Sequence, residues 1–355
     1  MDLEKIRKKI DQIDYEILNL LNEKMELAIR IKKFKIAIDD GEREAQILEQ
    51  LKKYSNTHNL MRSDFVEKLF TEIMKEGRKS QKKKKILIGF QGEHGAFSEV
   101  AARNYDPDLV TIPCTQFADV FEGVEKAYLD LGIVPVENSL GGAITQVNEQ
   151  LIKTDLKVVG AVKLRINHYL LALPETDYRE IRIVFSHPQA LSQCREFLNR
   201  HKLEARPFYD TAGAAKMLAK EKPEMTAIIA SKLCAELYRL EIIKENIEDH
   251  QFNFTRFLIL AREEKKNHAN KCSIVFSTPH RAGVLFAVLK IFAEAGINLT
   301  RIESFPYRNT PGHYVFFLDF QISDFHNGVE KILKKAKKKT TMFKYLGCYK
   351  EDICQ

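Results

Sequence analysis

The sequence predicts a multidomain chain of three fold classes: an all-α helical bundle, an α/β region and a ferredoxin-like α+β module. Three observations predict this order. Apolar residues recur every three or four positions over 3–38, the mark of a helical seam. From 86 onward, short runs rich in Ile, Val and Phe alternate with amphipathic stretches, as in an α/β fold. From 272 the segments read strand, helix, strand, strand, helix, strand, which is the ferredoxin-like order. Charged segments at 77–85 and 263–271 separate the regions, so the expected domains are 1–82, 85–263 and 271–350.

The first seam contains Leu3, Ile6, Ile10, Ile13, Ile17, Leu20, Leu27, Ile31, Phe34 and Ile38. It predicts one helix over 3–38, roughly 50 Å long at 1.5 Å per residue. Asp39 or Asp40 can cap a second helix over 41–54. A third apolar stripe, Phe65, Val66, Leu69, Phe70, Ile73 and Met74, predicts a helix over 64–79. One long helix cannot bury its seam on two short ones, so the bundle requires a partner chain. Lys24 sits in the seam where its neighbours are apolar. It is either a register device, which costs stability, or a ligand for a buried anion. Lys35, three turns further on, projects from the same face, and two inward cations favour the ligand.

In the second region, strands are expected over 86–90, 133–136, 158–162, 181–185, 226–230 and 257–261, in mostly parallel sheets. Helices are expected over 96–104, 117–129, 190–200 and 212–221. The loops 91–95, 137–142, 186–189 and 210–213 follow strands or precede helices, where sites in open α/β sheets gather. Gly89, Gly92 and Gly95 do not form G-x-G-x-x-G, so no dinucleotide site is expected. Residues 253–257 read Asn-Phe-Thr-Arg-Phe and lead into an apolar strand. A buried Arg needs an anion, and a Thr between aromatic rings needs a hydrogen-bonding partner. The pair suits a small anionic substrate with a group to be protonated. The plainer reading is a strand end whose Arg pairs with a nearby carboxylate.

Composition narrows the function classes. The net charge of +7 is concentrated in lysine-rich runs near 78–85 and 334–339, with no interleaved aromatics. These read as solvated surfaces, and no nucleic-acid partner is expected. The six cysteines are scattered without C-x-x-C or zinc spacing, so reduced thiols in a cytoplasmic protein are expected. The first residues lack an apolar signal core, and no run of eighteen apolar residues exists, so no membrane association is expected. No ligand cluster suggests a metal, and no cofactor is expected.

Taken together, the three regions resemble the bifunctional chorismate mutase–prephenate dehydratase family with its C-terminal regulatory ACT domain. The resemblance covers essentially the whole chain. Its most specific part is the dehydratase: 134–139 with Gly141-Gly142 is similar to the family's P-x-E-N-S…G loop. Residues 90–98 resemble its glycine-rich loop, 186–191 its S-H-P-Q-A-L turn and 255–257 its T-R-F signature. The resemblance implies a two-lobed dehydratase domain in which Thr255 serves the leaving hydroxyl, with Glu137 as a relay. Arg256 would meet a carboxylate, and Ser98, Asn138, Ser139 and Thr211 would be neutral donors beside Phe257. His187 is expected to be structural.

For the dimeric mutase bundle, the resemblance implies Lys35 and Gln81 at the ether oxygen and Arg7, Lys24 and Arg43 at carboxylates. Glu44 would hold a hydroxyl, Asp40 completes the set, and Arg7 would serve the partner subunit's site. Lys24 stands where the family has arginine. In the ACT domain, Gly283, Leu285, Asn298, Leu299, Glu303 and Ser304 would bind phenylalanine as an allosteric inhibitor between paired domains. Phe305 replaces the family's arginine there. The implied substrates are chorismate and prephenate, and the implied assembly is a homodimer or homotetramer. Two other readings remain at this point. One is a prephenate or arogenate dehydratase whose N-terminal bundle serves dimerisation only. The other is a two-lobed amino-acid sensor.

Overall fold

The structure is a computed structural model that describes residues 3–34, 41–58, 60–265, 268–306, 314–322 and 328–354. It divides into two units, Met1–Lys85 and Ile86–Gln355. The first consists of helices Leu3–Ile31, Gly41–His58 and Ser63–Lys82, the third packing against both others.

Three helix bounds expected in this unit are corrected, the second helix reaching His58 rather than 54. The seam helix ends at Ile31 rather than 38. Beyond it, Lys32, Lys33 and Phe34 bond back to the carbonyls three residues earlier, the tightened turn that closes many helices. Lys35 and Asp40 lie outside the described residues. The third helix runs through the expected linker start at 77 to Lys82, where its basic last turn suits the negative end of the helix dipole. Ile29 and Val66 are buried, whereas Leu3, Ile10 and Leu20 are 61%, 52% and 64% exposed.

The second unit contains three sheets. The largest runs Glu351–Cys354, Lys157–Arg165, Phe254–Ala261, Leu131–Asn138, Leu87–Gln91, Val110–Cys114, with Gly142–Ala143 paired to Leu131–Asn138. The next runs Glu241–Lys244, Tyr169–Ala172, Thr226–Ala230, Ile183–Ser186, Glu204–Pro207. The expectation of mostly parallel sheets is corrected: both are mixed. The chain leaves the first sheet along Lys157–Arg165, builds the second lobe, and returns along Phe254–Ala261. That return strand runs antiparallel to both its neighbours. Apolar side chains from both lobes, among them Phe90, Ile133, Ile228 and Phe257, share one buried cluster.

The third sheet is antiparallel, ordered Leu299–Pro306, Tyr314–Gln321, Lys271–Ser277, Met342–Tyr349. Helices Val284–Glu294 and Val329–Lys337 cover it, burying Val288 and Phe292 from the first helix and Val329 and Ala336 from the second. The ferredoxin-like order is as expected. Cys272 and Cys348 are joined by a disulfide, where free thiols were expected. They face each other across paired strands with Cα atoms 4.0 Å apart, a proximity that scattered spacing in sequence does not reveal. Past the expected boundary at 350, Glu351–Cys354 joins the first sheet in parallel with Lys157–Arg165.

Candidate active site

A cavity of about 770 Å³ opens between the two α/β lobes. Five helices begin at its wall: Phe97–Tyr105, Phe117–Glu125, Thr145–Lys153, Pro188–Gln193 and Thr211–Glu221. Each N-terminus is the positive end of a helix dipole. The first and third of these helices carry no side-chain cap. Among the described lining residues there is neither lysine nor arginine. The lining does include the carboxylates Glu149 and Asp210, so an anion held here would be met by backbone dipoles and neutral donors rather than by fixed cations.

Thr255 is 9% exposed and lines this cavity together with Phe257. Its Oγ1 accepts a hydrogen bond from Asn138 Nδ2 at 2.9 Å. With a lone pair so occupied, the hydroxyl is turned to donate. Asn138 is itself fixed. Its Nδ2 also reaches Asn253 Oδ1 at 2.8 Å, and its Oδ1 accepts from the backbone N–H groups of Leu140 and Gly141 at 3.1 and 2.7 Å. Asn253 Nδ2 donates to Gln193 Oε1 at 3.0 Å, which also meets His168 Nε2 at 2.9 Å. Burial pushes the His168 pKa down, against the Gln193 bond, which favours the neutral ring. Sequence reasoning assigned no role to Asn253, Gln193 or His168. Their only signal is a polar residue in or beside an apolar run.

The glycine-rich loop bridges the lobes. Gly92 has φ of 112°, and a Cβ there would lie 2.8 Å from Asp210 Oδ2. That oxygen accepts from Glu93 N, while Oδ1 caps helix Thr211–Glu221 through Ala212 N and Gly213 N. Ser231 Oγ donates to Gly95 O at 2.6 Å and Tyr238 OH to His94 O at 2.8 Å. Beneath the loop, Glu99 is fully buried and accepts from Gly95 N, Arg103 and Thr111. Burial alone would raise its pKa. The His94 hydrogen bond and charge, the Gly95 N–H and Arg103 outweigh this and hold it at about 2, against a usual 4.5.

A depressed carboxylate contributes stability that is complete above its unfolded value and lost as pH falls through its folded one. Glu99 should therefore supply about 3 kcal/mol that disappears between pH 4.5 and about 2. Urea unfolding across that window should show the slope in the native chain and its loss in Glu99→Gln. An equal slope in both would remove Glu99 as its source.

The structure brings Thr255, Phe257, Asn138, Ser98 and Thr211 to one cavity. Glu137, Ser139 and Arg256 are not among the residues that line it. Ser139 instead closes a loop, donating to Phe252 O at 2.8 Å and accepting from Phe254 N at 2.9 Å. Arg256, expected at a substrate carboxylate, is 4% exposed and turns to the far face of the sheet. There it pairs with Asp319 and Glu351 and meets Tyr349 OH at 2.6 Å. Glu137, its cross-strand neighbour, lies 3.4 Å from the guanidinium and 3.6 Å from Arg301. Alternation along an extended strand is the cause: 255 and 257 face the cavity, so 256 faces away. His187 lines the cavity and accepts from Gln189 N through Nδ1, which leaves the proton of its neutral ring on Nε2.

In the N-terminal unit, Arg7 is exposed on the first helix. Lys24 is half-buried, with Nζ 5.8 Å from the Phe70 ring centroid. The seventeen-residue step from Arg7 to Lys24 spans about 25 Å of helix, so one small ligand cannot touch both in one chain. Arg43 and Glu44 lie in the first turn of Gly41–His58, and Gln81 lies in the last turn of Ser63–Lys82. Arg78, which sequence reasoning passed over, forms an ion pair with Glu44.

The six candidate effector residues do not converge within one chain. Gly283, with φ of 80°, begins helix Val284–Glu294, and Leu285 lies in that helix's first turn. Asn298 and Leu299 follow the helix's far end, roughly 16 Å away. Asn298 donates to Gln321 Oε1 at 3.0 Å and lines a second cavity, of about 630 Å³. Glu303 faces inward and pairs with Arg301, while Ser304 points to the exposed side of the same strand.

Comparison with known proteins follows the same division. A family model for chorismate mutase type II matches residues 6–82, one for prephenate dehydratase matches 88–265, and one for the ACT domain matches 273–339. The bifunctional chorismate mutase/prephenate dehydratase of Aquifex aeolicus (strain VF5) is 33% identical over 364 residues, covering 100% of this chain and 99% of its own length. Arogenate dehydratase/prephenate dehydratase 2 of Arabidopsis thaliana, described as chloroplastic, is 39% identical over 280 residues, covering 76% of this chain and 74% of its own. The crystal structure of prephenate dehydratase from Arthrobacter aurescens in complex with L-Phe superposes with a TM-score of 0.68. It is 29% identical and covers 75% of this chain and 90% of that one. Among the described residues, no helix is long and apolar enough to cross a membrane.

Proposed function

The chain belongs to the bifunctional chorismate mutase/prephenate dehydratase family, and we propose that it rearranges chorismate to prephenate and converts prephenate to phenylpyruvate under feedback by phenylalanine. The observation that carries the second activity is Thr255, a hydroxyl oriented by Asn138 inside a cleft walled by helix N-termini.

Dehydration consumes one proton. The ring C–O bond breaks and its oxygen leaves as water. The bond to the ring carboxylate breaks with it, carbon dioxide departs, and that electron pair completes the aromatic ring. Thr255 donates at the leaving oxygen, and its proton is replaced from water in the cleft. Ser98 stands at the start of a helix with no side-chain cap, where backbone N–H groups receive a carboxylate, and Thr211 offers its hydroxyl. A cation clamped on the departing carboxylate would stabilise the ground state more than the transition state, so a lining without lysine or arginine suits this chemistry. Phe257 packs beside the ring.

The mutase reaction is a pericyclic rearrangement with no nucleophile. The protein must hold a dianion in a folded conformation and stabilise charge growing on the ether oxygen. Lys35 and Gln81 take that oxygen in our assignment, Lys24 and Arg43 the carboxylates, and Glu44 a hydroxyl beside Asp40. Arg7, too distant along its own helix, serves a second chain's site. The exposed seam of Leu3–Ile31 packs on that second chain, giving a homodimer or homotetramer. Phenylalanine binds between paired ACT domains, since Gly283, Leu285, Asn298, Leu299, Glu303 and Ser304 are dispersed in one.

The test is purified protein supplied with chorismate, with products followed by chromatography. Prephenate followed by phenylpyruvate is expected. Untouched chorismate with added prephenate still consumed would reduce the N-terminal bundle to a scaffold. Inertness toward both would overturn the proposal.

A further inference from the structure

Behind Thr255 its strand is held by an unusually complete set of partners. The Arg256 guanidinium donates through Nη1 to Asp319, through Nε to Glu351 and through Nη2 to the Tyr349 hydroxyl. A planar fork engaged on three sides cannot rotate or slide. Burial works against its charge, and Tyr349, Asp319 and Glu351 outweigh that and push its pKa further up. Asp319 is buried, and Arg256 and Arg301 hold its carboxyl below the usual range.

Glu351 occupies a particular place in this set. It opens the short C-terminal strand, which pairs in parallel with Lys157–Arg165 with Glu351 opposite Ala161. Lys157–Arg165 in turn pairs with the strand of Thr255. The second carboxylate oxygen of Glu351 receives Lys271, at the start of the ACT sheet. One side chain therefore ties three segments together: the chain end, the ACT sheet and the strand of Thr255. The strand's apolar anchoring is slight: Ile353 is largely exposed and Cys354 packs at the edge of the buried cluster.

We propose that the C-terminal strand Glu351–Cys354 is a positioning element of the dehydratase site, with Glu351 fixing Arg256 and thereby the placement of the Thr255 hydroxyl. This rests on the reading of the cleft as the dehydratase site. Because the two residues are adjacent in an extended strand, a shift at Arg256 moves Thr255 by a similar distance. Displacements of that size at a reacting group cost up to about 100-fold in rate.

The test uses the full chain with Glu351→Ala and Glu351→Gln, measuring prephenate kinetics, chorismate turnover and the urea midpoint. Glu351→Ala should lower the dehydratase kcat about 10- to 100-fold. KM for prephenate and chorismate turnover of the folded protein should stay near the native values, while the urea midpoint falls because Arg256 and Lys271 lose a buried partner. Glu351→Gln, which keeps an oxygen for Arg256 Nε, should recover most of the rate. Native kcat in Glu351→Ala would overturn the inference, as would a loss of rate that follows the loss of folded protein in both variants. A native chain inactive on prephenate would instead overturn the reading of the cleft.

Discussion

Replacing Thr255 with alanine should lower the dehydratase kcat about 10²- to 10³-fold while chorismate turnover continues at the native rate. The argument starts from the donor count. Thr255 Oγ1 already accepts from Asn138, so its one proton is free to act at the leaving oxygen. Alanine removes that donor and leaves Asn138 with its other acceptors, Asn253 and the Phe254 carbonyl, so the loop should hold its shape. The loss should therefore fall on kcat rather than KM. Thr255→Ser, which restores the hydroxyl without the methyl, should recover much of the rate. Steady-state kinetics on prephenate decides this, with chorismate turnover by the same preparation as the folding control. Alanine at native kcat would remove Thr255 from the chemistry and move attention to His187, which presents an Nε2 proton on the opposite lobe.

The sequence made this strand legible and misread Arg256 within it. Residues 253–257 combine two phenylalanines, a hydroxyl and a cation ahead of an apolar run, which marks the position as unusual. The period of two along a strand, applied to the same five residues, already separates Thr255 and Phe257 from Arg256. Treating the motif as one site overrode that geometry. The plainer expectation, an Arg paired with a nearby carboxylate, describes what the structure contains. Asp319 was similarly visible as a lone carboxylate within the apolar stretch 314–322. Its partner was not, because pairing across 63 residues leaves no local trace. The strand Glu351–Cys354 was illegible for another reason. Its four residues are half acidic and show no alternation, and only the register with Lys157–Arg165 makes them a strand.

The helical unit shows the converse. Periodicity gave all three helices, yet it overran the first, whose backbone tightens into a turn over 32–34 although the apolar spacing continues at Phe34. Periodicity reports which face is apolar, not whether the i to i+4 bonds persist. Much of the seam is open in one chain, and the proposed second chain rests on that exposure.

Lys24 gives the other large effect. Two accounts compete for a lysine within that seam. As a register device it should cost stability, so Lys24→Leu would raise the unfolding midpoint and leave chorismate turnover intact. As a carboxylate ligand it should make a charge-assisted bond to the bound dianion. Its loss should then cost about 2–3 kcal/mol, roughly 30- to 150-fold in kcat/KM for chorismate. Its position favours the second account. Nζ rests near the Phe70 face on the third helix, the helix that also carries Gln81, so the side chain is directed between helices rather than into water. The expected result for Lys24→Leu is therefore a folded bundle with crippled chorismate turnover and native conversion of added prephenate. Lys24→Arg should retain activity, since a guanidinium can still reach a carboxylate and pairs with it at two points. A leucine variant both more stable and fully active would return the bundle to a scaffold role, and would leave the cleft at Thr255 as the chain's sole catalytic centre.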